Sequence, residues 1–142
     1  MTDNELMAET FIRVRFDEVD ALGIVWHGHY LKYLEDARDA FGRKYNLTYM
    51  GVYNHGFSVP LVNIQIDYKL PLKYEDVAKV VIKYIDSDAA KVVFHYTIFN
   101  ESGEVVLKAK TTQVFMSKTG ELQLLNPEFF INWKKKYLWK KS

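Results

Sequence analysis

Apolar and basic side chains alternate along residues 11–16 (Phe-Ile-Arg-Val-Arg-Phe), the two-residue period of a half-buried strand. From Tyr30 the period lengthens. Tyr30, Tyr33, Leu34, Ala37, Phe41 and Tyr45 recur at steps of three and four, while Lys32, Asp36, Arg38, Asp39 and Arg43 fall on other faces. That spacing predicts an amphipathic helix of about four turns, loosely bracketed by Gly28 and Gly42. A connection containing Gly and Asn follows. Val62, Ile64 and Ile66 then alternate with Asn63, Gln65 and Asp67, and residues 77–85 and 91–99 are rich in β-branched and aromatic side chains. These segments read as strands. Asn100-Glu101-Ser102-Gly103 is a hairpin turn signal ahead of a long strand from about Glu104 to Met116. Ser117-Lys118-Thr119-Gly120 predicts a second turn and a short strand through Leu125. Asn126-Pro127-Glu128 reads as an N-cap with Pro at the first helical position, opening a C-terminal helix over about 127–140.

One helix after the first strand, then a run of antiparallel strands, indicates an α+β domain. A long helix with an apolar face needs a surface to bury it, and a curved antiparallel sheet wrapped around it supplies one. That architecture is the hotdog fold. At 142 residues the chain suits a single domain spanning 1–142.

Composition narrows the chemistry. Apolar residues make up 49% of the chain, enough for a packed core rather than disorder. The balance of 19 basic and 18 acidic residues argues against a nucleic-acid footprint across the domain. With no Cys there is no disulfide, thiolate nucleophile or thiolate metal site. The acidic N-terminus lacks the pattern of a signal peptide, and no apolar run reaches the roughly 18 residues of a membrane span. A cytoplasmic protein without stable membrane insertion is the expectation.

The informative stretch runs from Arg15 to Tyr30, with Glu18, Asp20, Gly23, Trp26, His27, Gly28, His29 and Tyr30 at defined spacings. It resembles the signature of the 4-hydroxybenzoyl-CoA thioesterase family of hotdog proteins, which includes Tol–Pal-associated acyl-CoA thioesterases. Glu18 matches the first acidic position, Asp20 the catalytic Asp, Gly23 the glycine, Trp26 the aromatic, and Tyr30 the tyrosine at helix entry. Glu35, Ala37 and Arg38 match the helical run, and Tyr68 to Asp76 is similar to a second, weaker pattern. The resemblance covers roughly residues 11–125. It implies hydrolysis of an acyl-CoA thioester to free acid and coenzyme A.

Such a reaction needs a carboxylate as general base toward water or as nucleophile, the role implied for Asp20. It also needs donors for the developing oxyanion, and a helix N-terminus offers unpaired N–H groups and a favourable dipole. The resemblance gives that role to the backbone N–H of His27. Glu35 faces the acyl group in some relatives and is a further candidate. Gly23, Trp26, Gly28, His29 and Tyr30 are expected to shape the substrate site. Coenzyme A enters as part of the substrate, and no other cofactor is expected.

The basic cluster with which some relatives hold the nucleotide is reduced here to Lys91, with Lys69 and Lys73 as possible substitutes. Neighbouring His27 and His29 diverge at a helix start, which disfavours a metal site. The basic, aromatic segment from Trp133 to Lys141 reads as a packing helix with a solvated lysine face. An isolated hotdog sheet leaves an exposed edge, and the resemblance implies a homodimer or homotetramer with interfacial sites. Two other functions stay open: a hotdog hydratase or dehydratase acting on acyl thioesters, and a non-catalytic acyl-binding or scaffold protein.

Overall fold

The computed structural model describes residues 5–138. Its elements are β1 (Met7–Arg13), α1 (Tyr30–Tyr45), α2 (Tyr49–Asn54), β2 (Phe57–Ser58), β3 (Leu61–Tyr68), β4 (Val77–Ile85), β5 (Lys91–Phe99), β6 (Val105–Val114), β7 (Met116–Ser117) and α3 (Glu128–Tyr137). Single 3-10 turns occupy Phe16–Glu18 and His27–His29. The main sheet is antiparallel, in the order β1-β4-β5-β6-β3. It wraps α1 in the hotdog arrangement.

The helical period does the expected work. Tyr30, Tyr33, Leu34, Ala37 and Phe41 are all buried, facing Val80, Ile82, Ile98 and Leu107 from the sheet. Each fully buried Leu, Ile or Phe contributes about 1.5–3 kcal/mol by removing apolar area from water. Arg38, on the same helix, crosses to the sheet and donates to the Tyr96 hydroxyl (3.1 Å), which lies 2.6 Å from the hydroxyl of Thr111. The helix is therefore tied to β5 and β6 by a polar chain as well as by packing.

Several elements depart from the sequence expectation. The first strand starts at Met7 and ends at Arg13, because the chain bends into the turn at Phe16. Gly42 lies inside α1 rather than beyond it. The helix ends at Tyr45, with Asn46 left-handed (φ 59°) and the Leu47 N–H donating to the Gly42 carbonyl at 2.8 Å. A Cβ at Gly42 would come within 2.6 Å of the Leu47 carbonyl oxygen, so glycine here admits the returning chain. α2 was not expected. Pro127 is the N-cap of α3, extended at ψ 151°, and not its first helical residue. The predicted strand through Leu125 reduces to one bridge, Leu122 to Met116, with Leu124 and Leu125 exposed, and the expected long strand before it divides into β6 and the two-residue β7. The end of the predicted C-terminal helix, beyond Leu138, lies outside the described residues. No helix among the described residues is long and apolar enough to cross a membrane.

β3 is a strand, but its alternation does not give a buried face. It closes the sheet as an edge, and Val62 remains 59% exposed and Ile64 39%.

Candidate active site

The Asp20 loop is a small antiparallel excursion between β1 and α1. Val19 bridges Val25, the Asp20 N–H donates to the Ile24 carbonyl (2.8 Å), and the Gly23 N–H donates to the Asp20 carbonyl (2.9 Å). Gly23 turns the chain at φ +80°, a conformation that L side chains rarely adopt. No atom stands within 4 Å of where its Cβ would be, so backbone geometry and not space demands glycine. Asp20 is exposed at this tip, and its Oδ1 accepts the Leu22 N–H at 2.8 Å. That contact is an ordinary turn bond. It engages one carboxylate oxygen.

The same ladder leads straight into the start of the helix. The Trp26 N–H donates to the Glu18 carbonyl (3.1 Å), and the His29 N–H to the Trp26 carbonyl (2.9 Å). His27 and Gly28 open the turn, so their N–H groups have no preceding helical carbonyl to reach. No side chain among the described residues caps this end. Trp26 is 60% exposed and its indole lies over Gly28, where a Cβ would fall 2.2 Å from the ring. Glycine is required there to seat the indole. The carbonyl of His27 accepts the Tyr68 hydroxyl (3.0 Å), and its ring meets Tyr68 edge-on at 5.3 Å. Tyr68 thus steadies the helix opening, a role without a local sequence signal because it comes from the far end of β3.

The buried carboxylate of the loop is Glu18, not Asp20. Glu18 is 7% exposed. Its Oε1 accepts the Tyr33 hydroxyl (2.6 Å) and the Arg15 N–H (2.9 Å). Its Oε2 lies 3.2 Å from Nε2 of His29, close enough for an electrostatic contact although the ring nitrogen makes no well-aligned hydrogen bond. Burial alone would raise the Glu18 carboxyl. The Tyr33 hydroxyl, the Arg15 N–H and the His29 ring outweigh it and hold the group below the usual Glu range. Burial and the adjoining carboxylate push the Tyr33 hydroxyl well up, so it remains a donor.

The other expected site residues divide into two groups. Gly28 and Glu35 share a groove of about 380 Å³ between α1 and the sheet edge, bounded by Leu31, Arg38, Ile64 and Thr111. Glu35 also borders a second cavity of about 460 Å³ backed by Val52, Val59, Phe94 and Phe115. Asp20 stands outside both spaces. Tyr30, expected on a pocket wall, is 3% exposed, and its hydroxyl accepts the Leu72 N–H at 3.2 Å; it belongs to the core. His27 and His29 point to different neighbours, Tyr68 and Glu18, and do not converge. Lys91 opens β5 and precedes Val92, which lines the second cavity.

A family model described as the thioesterase-like superfamily matches residues 14–133. The chain belongs to that superfamily. YneP of Bacillus subtilis, provisionally named an acyl-CoA thioesterase, is 32% identical over 126 residues, covering 89% of this chain and 91% of its own. A 1,4-dihydroxy-2-naphthoyl-CoA hydrolase from Thermosynechococcus vestitus is 31% identical, covering 69% of this chain and 68% of its own. Among solved structures, a DHNA-CoA thioesterase from Staphylococcus aureus superposes with a TM-score of 0.83 at 26% identity, over 92% of this chain and 88% of that one. Superfamily membership confirms the hotdog fold and the resemblance carried by the Arg15–Tyr30 segment.

Proposed function

We propose that this chain hydrolyses an acyl-CoA thioester to the free acid and coenzyme A. Asp20 acts as general base or nucleophile, and the His27 and Gly28 N–H groups bind the oxyanion. One observation carries the reading: the short ladder from Val19 to Val25 joins an exposed carboxylate directly to a helix opening whose N–H groups lack helical acceptors. The names of the superfamily relatives support the substrate class.

As a base, Asp20 takes a proton from water, the hydroxyl oxygen adds to the thioester carbonyl carbon, and collapse expels the thiolate. As a nucleophile, its carboxylate adds instead, the thiolate leaves a mixed anhydride, and water then cleaves that anhydride. In either case negative charge develops on the former carbonyl oxygen. The unpaired amides and the helix dipole stabilise it, and removing one such donor typically costs about 10²–10³ in rate. The cavities beside Glu35 offer apolar walls for the acyl group, Arg38 borders both of them, and Lys91 is the coenzyme A phosphate contact that the resemblance suggests.

The reading includes a homodimer. β3 presents an unpaired backbone edge together with exposed Val62, Ile64 and Tyr68, a surface that a second β3 would cover. A symmetric pair of that kind brings the groove at Gly28 and Glu35 against the partner. Light scattering should give twice the chain mass, and Ile64→Lys should shift it toward monomer.

A hydratase would need a free carboxylate–imidazole pair. Glu18 and His29 make the acid–imidazole contact seen among the described residues, and that carboxylate is already engaged by Tyr33 and Arg15. Thiol release is therefore expected, rather than hydration of an enoyl-CoA.

The test is a free-thiol assay over aromatic, short-chain and long-chain acyl-CoAs, with Asp20→Asn alongside. Wild type should release thiol from at least one substrate, and the variant should be slower by ~10²-fold or more. Equal rates would remove Asp20 from the mechanism. Single-turnover hydrolysis in ¹⁸O-water tests for the anhydride route, since label in the Asp20 carboxylate can arise only by that route.

A further inference from the structure

We infer that Glu18 is the positioning residue of this site: its buried carboxylate locks the Asp20 loop to the amide end of α1. The inference rests on the hydrolytic reading above and extends it to a group that never touches substrate.

Among the described residues Asp20 makes no bond to the helix: its side chain bonds to the Leu22 N–H in its own turn, and its backbone to Gly23 and Ile24. Glu18 makes the connection that Asp20 lacks. Its backbone carbonyl accepts the Trp26 N–H, immediately before the His27 amide. Its side chain accepts the hydroxyl of Tyr33, one turn into α1, and approaches His29 in the helix-opening turn. The same Oε1 holds the Arg15 N–H at the start of the loop. One residue thus contacts the loop's entry, the residue preceding the oxyanion donors, and the first turn of the helix.

Burying a carboxylate is unfavourable unless donors replace its water, and an apolar side chain would fill the same volume without that penalty. What the carboxylate adds is direction. Short bonds to fixed donors set the separation and angle between two backbone segments more narrowly than apolar packing does. Catalytic groups need such definition, because a displacement of about 1 Å is enough to lower a rate by roughly a hundredfold.

The experiment compares Glu18→Gln and Tyr33→Phe with wild type on the acyl-CoA that the thiol assay shows to be turned over fastest. Both are repeated in an Asp20→Asn background, with folding checked by circular dichroism at the assay temperature. Glu18→Gln keeps the shape and removes the charge. Tyr33→Phe leaves the carboxylate and removes only its 2.6 Å donor, so the test survives if the first variant folds poorly. We expect kcat to fall by roughly tenfold to a hundredfold in either variant, with KM changed by less than about twofold. In the Asp20→Asn background each should cost clearly less, since the group being positioned has already lost its function. Wild-type kcat in both folded variants, a change confined to KM, or equal costs in the two backgrounds would overturn the inference. If Asp20→Asn itself turns over normally, Asp20 leaves the mechanism and this inference falls with it, whereas the hydrolytic reading fails only if wild type releases thiol from no acyl-CoA. A slow Asp20→Asn beside normal Glu18→Gln and Tyr33→Phe removes Glu18 alone.

Discussion

The two ends of α1 are built in opposite ways. At the C-terminal end two of the orphan carbonyls are met by protein: Leu47 N–H donates to Gly42, and Nε1 of Trp133 donates to the Tyr45 carbonyl at 2.7 Å. Aromatic packing closes over that end, with the Phe41 ring 4.7 Å from Tyr45 and 4.9 Å from Phe94, and with Phe130 stacked on Trp133 at 5.4 Å. At the N-terminal end no side chain among the described residues caps the first turn, Trp26 is exposed, and the Asp20 carboxylate in the preceding loop is solvated. A helix end whose carbonyls find protein donors stabilises the fold. One left open keeps donors available for a ligand. The molecule separates the two tasks by the length of one helix.

That contrast predicts that the ends will respond to mutation in different observables. Phe41→Ala, in the closed end, should lower unfolding free energy by about 3–5 kcal/mol with kcat per folded molecule unchanged; chemical denaturation with active-site-normalised rates checks both parts. Asp20→Asn, at the open end, should do the reverse. Its rate loss of ~10²-fold corresponds to about 2.7 kcal/mol of transition-state stabilisation, with the melting temperature within a degree or two of wild type. Gly42→Ala should cost about 1–3 kcal/mol of stability, because the new methyl meets backbone at Leu47 and not a side chain able to swing aside. Gly28→Ala meets only the movable Trp26 indole, so its stability cost should be below about 1 kcal/mol while KM or kcat changes. A large stability loss from Gly28→Ala would break the comparison.

The smallest effect expected is a pH dependence. Glu18 has its carboxyl held below the ordinary range in the folded chain. Its contribution to stability is therefore fully present above the unfolded Glu value, about 4.3, and is lost as pH falls through the lower folded value. The melting-temperature gap between wild type and Glu18→Gln should shrink on acidification below about pH 4. A gap that widened in acid would reverse the assigned sign.

Much of the fold was legible from local pattern. The positions from Tyr30 to Phe41 repeat with the helical period and are all in the core, because one helix face against one sheet is a local property of spacing. The Asn100–Gly103 turn was likewise readable: Asn100 Oδ1 accepts the N–H groups of Ser102 and Glu104, and Gly103 is left-handed at φ +84°. α2 escaped because six residues with an internal Gly51 carry too little periodicity. β3 was recognised as a strand, but its exposure was not, since alternation says which residues share a face and not whether anything covers it.

The site divides along the same line. Local pattern together with the family resemblance identified the loop, its glycine turn at Gly23 and the helix that follows, because each depends on neighbours within a few positions in the chain. Only the tertiary structure decided which acid is buried, since the hydroxyl that reaches Glu18 comes from Tyr33 and the one that reaches the His27 carbonyl comes from Tyr68, at the end of β3. Burial and hydrogen-bond partnership are set by what packs nearby in space. No window along the chain contains that information.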